Sequence, residues 1–227
     1  MNPIGNFAKF LNFKLRDLDI NRTVSWQTSI LTIITTFILL LSCGLLLGSY
    51  FFGPSKSSYY DSRIKELREV LRENPGDKTI ALELAMTIYL QGDTGKGISL
   101  ARQVLSKYPD DPEALFNLGL MLCDRGDYVE SIRFLDKLAS RYPGFEPAGV
   151  SFYLGKSYLE SGDFNNAHVK LREAVNLDRG SPVAYYYLGR AEEGIGNWEK
   201  ALEAYQQAIR RAGSYPEAEA AARRLTR

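Results

Sequence analysis

Residues 182–208 read PVAYYYLGRAEEGIGNWEKALEAYQQA, and this stretch decides the fold. A Leu-Gly pair at 188–189 is followed twelve residues later by Ala201, and Ala208 comes seven residues after that. The same order of large and small residues occurs three more times upstream, with 34, 36 and 34 residues between copies. The copies align at Leu84-Ala85, Leu118-Gly119, Leu154-Gly155 and Leu188-Gly189. A period near 34 residues indicates stacked helical hairpins, that is, a solenoid.

Turn signals separate the helices of each copy. A capping side chain before proline, as in Asp111-Pro112 and Ser181-Pro182, predicts the start of a first helix. A glycine before Asp or Asn predicts the turn to the second helix, because glycine accepts left-handed backbone and the polar side chain caps the next helix. Asp127 and Glu130 also predict a capping box. These turns are at Gly92-Asp93, Gly126-Asp127, Gly162-Asp163 and Gly196-Asn197.

An uncharged segment from Thr23 to Ser55 includes 23 mostly apolar residues between Ile30 and Phe52. A helix of that length extends ~35 Å, and the hydrocarbon core of a bilayer is ~30 Å thick. Trp26 lies near one end, where interfacial aromatics are found. We therefore predict one transmembrane helix within residues 26–52. A cleaved signal peptide fits less well, because the apolar stretch is too long and no small-residue cleavage site follows it.

The N-terminal region carries further hypotheses. Gly44 and Gly48 form a GxxxG pair through which two membrane helices could self-associate. Cys43 lies in a lipoprotein-like Leu-Leu-Ser-Cys sequence, but apolar residues follow it where a mature lipoprotein is polar. Residues 1–25 are either a short amphipathic helix on the membrane surface or a loosely ordered tail. Basic residues nearly tie across the span, and we expect a cytoplasmic N-terminus with extracytoplasmic repeats.

A short helix precedes the repeats. The segment from Asp61 to Glu73 is periodic, ends at Asn74-Pro75-Gly76, and predicts a lid for the stack. Its apolar side is expected to hold Ile64, Leu67, Val70 and Leu71. The chain is thus divided into a tail (1–25), a transmembrane helix (26–52), a linker with the lid helix (53–77), four repeats (78–215) and a C-terminal cap (216–227).

Composition limits the class of function. The 28 basic and 27 acidic residues give a formal net charge of +1, so there is no excess of basic residues for a nucleic-acid-binding face. His168 is the only histidine, expected on a helix face, and Cys43 and Cys123 are far apart in sequence. Neither a zinc site nor a disulfide framework is predicted. The segment 92–97 resembles a phosphate-binding loop only weakly, because Leu90 replaces the first glycine of that motif and Gly97 its Ser or Thr. No phosphate site is predicted from it. We predict no catalytic residue, metal or cofactor.

The repeated Leu-Gly pairs, the small residues twelve positions later and the turn glycines resemble the pattern of the tetratricopeptide repeat family, over roughly residues 56–215. The resemblance implies an all-α, right-handed superhelical solenoid of stacked hairpins, here preceded by one transmembrane helix. Departures from the family pattern are a two-residue insertion near Gly144–Pro147 and Glu192 in place of a large core residue. The third and fourth copies match best, at Leu154-Gly155, Gly162, Ala167 and Ala174, and at Leu188-Gly189, Gly196, Ala201, Tyr205 and Ala208.

The resemblance also implies that first-helix side chains line a concave groove. The alternative is that several of the aromatic residues among them pack between hairpins. The expected groove is apolar and aromatic at one end, with Lys156 and Arg190 at the other. It suits an extended peptide or a partner helix with an apolar stripe, including one with acidic residues. Family members that clamp an acidic chaperone tail use Lys, Asn and Arg, of which only Asn117 is matched. The candidate groove residues are Leu82, Met86, Tyr89, Phe116, Asn117, Leu120, Cys123, Phe152, Tyr153, Lys156, Leu159, Tyr186, Tyr187, Arg190 and Glu193.

The sequence favours a membrane-anchored scaffold or adaptor that binds protein partners during assembly or maturation of an envelope or membrane complex. One alternative is a permanent structural subunit of a large membrane complex, whose partner would not exchange. The arrangement also resembles the anchored tetratricopeptide subunits of cytochrome c maturation, which hold an unfolded apoprotein. A membrane-localised enzyme is disfavoured. Many functions share this fold, so the resemblance does not name the partner.

Overall fold

The computed structural model describes Thr35 and residues 56–226. The chain divides into two compact units, residues 1–55 and 56–227, and the second unit holds the repeats. Apart from Thr35, the predicted tail (1–25) and transmembrane helix (26–52), with Cys43 and the Gly44/Gly48 pair, lie outside the described residues. Within the described part of the chain, no helix combines the length and apolarity needed to cross a bilayer.

Residues 56–226 form ten α-helices joined by short turns, and this part of the chain contains no strand. Four antiparallel hairpins, α2–α3, α4–α5, α6–α7 and α8–α9, stack in sequence order, with α1 packed on α2 and α10 on α9. The predicted all-helical solenoid is therefore confirmed for this region. The helices are α1 (Lys56–Glu73), α2 (Lys78–Gln91), α3 (Thr94–Lys107), α4 (Pro112–Arg125), α5 (Tyr128–Arg141), α6 (Pro147–Glu160), α7 (Phe164–Leu177), α8 (Pro182–Gly194), α9 (Trp198–Ala212) and α10 (Pro216–Leu225).

Small residues let the two helices of each hairpin approach closely. A Cβ atom placed on Gly155 would lie 2.5 Å from Leu171 Cγ and 3.0 Å from the Leu171 backbone nitrogen. The same relation holds between Gly189 and Tyr205, where the nearest ring carbon would be 2.6 Å away. In these two hairpins a glycine of the first helix is thus the surface against which a bulky side chain of the second helix packs. The predicted close approach of the antiparallel helices is confirmed.

The turns follow the sequence signals, with two exceptions. All four predicted glycines adopt positive φ, between 83° and 111°. Asp93 and Asp163 cap α3 and α7 as predicted. Asp127 makes no capping hydrogen bond, so the predicted capping box is wrong: its carboxylate pairs with Arg125, and Glu130 pairs with Arg102 and Arg133. Asn197 also leaves α9 without a side-chain cap.

Asn197 instead donates a hydrogen bond to a buried carboxylate. Its Nδ2 donates a 2.8 Å hydrogen bond to Oε2 of Glu192, which is only 4% exposed. On the other side of this carboxylate, His168 Nδ1 lies 3.1 Å from Oε1, although the alignment is too poor for a hydrogen bond. His168 therefore lies on the face of α7 that packs toward α8, where it is partly buried. A buried carboxylate needs such polar partners, because an unpaired one costs several kcal/mol.

The lid helix differs from its predicted form. It begins at Lys56 rather than Asp61. Ile64 and Leu67 are buried against α2, as predicted, but Val70 is 41% exposed. The reason is geometric, because Ile64, Leu67 and Leu71 lie three and four residues apart on one side of the helix, and α2 covers only that side.

The first helices form the inner row of the stack. Contacts link α2 directly to α4, α4 to α6 and α6 to α8, whereas the second helices of the described region meet mainly through the first helix of the next repeat. The first helices are therefore the more closely spaced row. Their free sides line the concave face, which we call the inner groove.

The insertion in the second repeat places one residue in a strained conformation. Glu146, directly before Pro147, has φ 43° and ψ 48°, and it is the only described non-glycine residue with positive φ. A left-handed conformation costs an L-residue ~1–2 kcal/mol. Glu146 makes no capping hydrogen bond that offsets this cost.

We predict that Glu146→Gly raises the stability of the full chain by ~1 kcal/mol, because glycine adopts positive φ without strain. The midpoint of urea denaturation, followed by circular dichroism, measures the effect. Glu146→Ala is the matched control, since it removes the same side chain but keeps the strain. An equal gain in both variants would place the effect in the side chain rather than in the backbone.

The close approach within a hairpin is tested by Gly155→Ala. The added methyl group would press on Leu171 and its backbone, so we expect a loss of ~1–3 kcal/mol, typical of overpacking. Gly144→Ala is the control, because a Cβ at Gly144 meets no atom within 4 Å. Equal denaturation midpoints for the two variants would contradict the packing described here.

Candidate functional site

The inner groove retains most, but not all, of the side chains expected there. Leu82 is fully buried, since it packs with Val104 and Ala114 between neighbouring repeats. Asn117 is 9% exposed, and Cys123 and Leu159 are almost completely covered, so these four residues are corrected from groove surface to interior. The partly exposed candidates are Met86, Tyr89, Phe116, Leu120, Phe152, Tyr153, Lys156, Tyr186, Tyr187, Arg190 and Glu193.

A continuous row of aromatic rings crosses the groove from the second repeat to the C-terminal helix. Phe116 of α4 contacts Tyr153 of α6 with 6.0 Å between ring centroids, and Phe152 contacts Tyr187 of α8 at 5.5 Å. Most rings meet edge to face, the arrangement that the ring quadrupoles favour. In order, the row consists of Phe145, Phe116, Tyr153, Phe152, Tyr187 and Tyr186, with Tyr205 and Tyr215 both against Tyr186.

Asp124 joins the first helices of three successive repeats. Its carboxylate accepts a 2.7 Å hydrogen bond from Tyr89 Oη of α2 and another of 2.7 Å from Lys156 Nζ of α6. Burial, with this hydrogen bond, raises the pKa of Tyr89 above its usual value. For Lys156, burial lowers the pKa, but the bond to Asp124 and nearby charges outweigh it and the pKa is raised. Both donors therefore stay protonated at neutral pH.

The same arrangement recurs one repeat further on. Arg190 Nη1 of α8 donates to Glu160 Oε1 of α6 at 2.5 Å. Burial lowers the pKa of Arg190, but this hydrogen bond leaves the pKa raised overall. Tyr187 lies between the two cations, with its ring centroid 5.8 Å from Lys156 Nζ and 5.4 Å from Arg190 Cζ. Both contacts are within the range of cation–π attraction.

The third pair closes the groove at its C-terminal end. Glu193 accepts from Tyr205 Oη at 2.6 Å and from Arg224 of α10, also at 2.6 Å. Burial, followed by the bond to Glu193, raises the pKa of Tyr205. From α4 onward, a carboxylate of one first helix thus pairs with a cation of a later helix: Asp124 with Lys156, Glu160 with Arg190 and Glu193 with Arg224.

This pairing changes the expected chemistry of the site. The sequence predicts Lys156 and Arg190 as groove cations, but their partners Asp124 and Glu160 are not predicted from it. A signal was present, because both acidic residues lie in the last turn of a first helix and each cation lies 30 to 32 residues later. With both cations neutralised, the groove offers ring faces and closed ion pairs rather than a positive patch.

Among the described residues, no three His, Cys, Asp or Glu side chains lie close enough together to hold a metal ion. What the arrangement can do is bury apolar side chains of a partner between aromatic rings, a mode that supplies much of the binding energy at protein interfaces.

The fold and the groove define a helical-repeat scaffold for protein interaction. The sequence agrees, because it matches the family profile described as Tetratricopeptide repeat over residues 91–144 and 153–216, more than half of the 227-residue chain. The chain belongs to the tetratricopeptide repeat family. A comparison with curated proteins gives no match.

Solved structures show the same fold at low sequence identity. MamA from Desulfovibrio magneticus RS-1, residue 41 to the end, is 23% identical with a TM-score of 0.60, and the match covers 66% of this chain and 85% of that one. A thermophilic tetratricopeptide protein of Thermus thermophilus is 19% identical with a TM-score of 0.58, covering 80% and 96%. At these identities the likeness concerns the fold alone.

We predict that Asp124→Asn lowers the stability of the full chain by ~1–3 kcal/mol, because Lys156 loses its counter-charge in a partly buried place. The side chain of Lys156 is only 19% exposed. The control is Glu173→Gln, which breaks the more exposed pair with Lys170 and is expected to cost under ~0.5 kcal/mol. Similar losses in urea denaturation would show that Asp124 is an ordinary surface residue.

Proposed function

We propose that this chain is a non-catalytic, membrane-tethered adaptor whose inner groove holds a segment of a partner protein. The observation that carries the proposal is the uninterrupted aromatic row with its paired charges. The tether is the apolar segment 26–52, and the arrangement that we favour has a cytoplasmic N-terminus and extracytoplasmic repeats. Within this proposal the partner is a component of an envelope or membrane complex, bound during its assembly.

The chemistry of the groove limits the partner segment. Since Asp124 and Glu160 neutralise Lys156 and Arg190, an acidic peptide would have to displace hydrogen bonds that already exist. A segment with an apolar stripe meets no such cost, because it covers ring faces and excludes water from them. We therefore favour an extended peptide or helix with apolar anchors and few charges.

Site-specific photo-crosslinking in intact membranes tests this proposal. A photoreactive amino acid replaces Leu120 in the groove of the full chain, and the crosslinked partners are compared with and without Phe152→Ala/Tyr153→Ala. We expect one set of adducts to be lost in the double variant, because two rings of the row are removed. Far-ultraviolet circular dichroism checks that the variant retains its helices.

The matched control carries the photoreactive residue at Val169, which is 53% exposed on the side of α7 away from the groove. This position should give none of the adducts lost above. Adducts that persist in the double variant, or that form equally from Val169, would remove the groove from the binding site and favour a permanently packed structural subunit.

A further inference from the structure

The four turns between first and second helices lie along one edge of the stack, which we call the glycine edge. Each repeat exposes one large apolar side chain there, at or next to its turn. Leu90 is 54% exposed, Val129 81%, Phe164 37% and Trp198 58%. These residues occupy different helix positions, since Leu90 lies near the end of a first helix and the other three lie at the start of second helices. They share one helix-terminal edge, which indicates a surface that meets an apolar environment.

Neighbouring helices of the stack cover only some of these four side chains. The ring of Phe164 packs on Gly194 of the next repeat, so closely that a Cβ atom on Gly194 would overlap the ring. Trp198 belongs to the last repeat, so no further hairpin covers it. Val129 is the second residue of α5 and is almost fully exposed, so no described neighbour covers it.

The glycine edge carries charges of both signs, including the exposed Glu199 and Lys200 beside Trp198. Lys96 pairs with Asp93, and Arg125 pairs with Asp127. Asp163 accepts hydrogen bonds from Asn166 instead of a cation. An edge of this kind has little attraction for an anionic surface, and it does not repel a neutral one.

The chain enters the repeats at this same edge. α1 is antiparallel to α2, and Gln91 at the end of α2 donates to Asp61 near the start of α1. Tyr59, two residues before Asp61, is 63% exposed. Only residues 53–55 separate Lys56 from the apolar segment, and they span at most ~14 Å. If that segment crosses the bilayer, the first turn of α1 stays close to the headgroups.

We propose that the glycine edge is a lipid-docking surface, which rests on the zwitterionic headgroup region of the membrane that carries the tether. This inference rests on the proposed tether. Trp and Tyr favour the membrane interface, because their rings are apolar and their N–H and O–H groups remain hydrated there.

Trp198 reports on this contact directly. The chain has two tryptophans, so Trp26→Phe leaves Trp198 as the single fluorophore. The full chain with this substitution is placed in phosphatidylcholine nanodiscs, with a nitroxide either on the headgroup or deep in the acyl chain. We expect the headgroup nitroxide to reduce Trp198 emission about twofold, and the deep nitroxide to have little effect, because interfacial rings lie at headgroup level.

The matched control moves the fluorophore to the opposite edge. Leu177, the last residue of α7, is 51% exposed, and Trp26→Phe/Trp198→Phe/Leu177→Trp reports from there. Its emission should be insensitive to either nitroxide. A second variant, Val129→Glu with Trp198 retained, should weaken the headgroup quenching, because a charge in the row opposes docking.

The possible failures are separable. Co-elution of the chain with nanodiscs in size-exclusion chromatography tests the tether, and its absence would overturn the tether and the docking together. Co-elution with equal quenching at Trp198 and at the Leu177→Trp probe would overturn the docking alone. A second copy or a partner protein that covered the edge would shield Trp198 from the headgroup nitroxide. The loss of quenching would then also overturn the docking.

Discussion

The contact between a small residue of each first helix and a bulky residue of its second helix is the constraint on which the structure depends. Gly155 against Leu171 and Gly189 against Tyr205 leave no room for a Cβ atom. In the first repeat the relation is reversed, since Gly97 of the second helix meets Ala85 of the first. This close approach fixes the rotation of each helix in its hairpin. The aromatic side chains of the first helices are thereby turned to the opposite side, where they form the inner groove.

The sequence predicts the parts of the fold that local chemistry determines. Glycine favours the left-handed turns at Gly92 and Gly126, and proline after Asp111 fixes the start of a helix, so both features can be predicted without coordinates. Capping at Asp127 was not predictable in this way, because Arg125 competes for the same carboxylate. The extent of the lid helix and the exposure of Val70 depend on how much of α1 the next helix covers.

The candidate site was predictable in outline but not in its charges. Helix position selects Phe152 and Tyr153, which are partly exposed, but it also selects Leu82, which the neighbouring repeat covers. The partners of Lys156 and Arg190 are about thirty residues away in sequence. Their meeting depends on the offset between adjacent repeats, which packing sets and no local pattern specifies. Because of these pairs, the groove presents a neutral aromatic surface rather than the cationic surface expected from the sequence.

Asp124 has a consequence for the shape that the groove can adopt. A solenoid has few contacts between distant parts, so its curvature is the sum of small rotations between adjacent hairpins. The two hydrogen bonds of Asp124 connect three first helices on the concave side of the stack. Bending the stack open would have to lengthen them. The radius of the groove is thus set in part by a single carboxylate, and exchange of that residue could retune the curvature while every helix keeps its place in the fold.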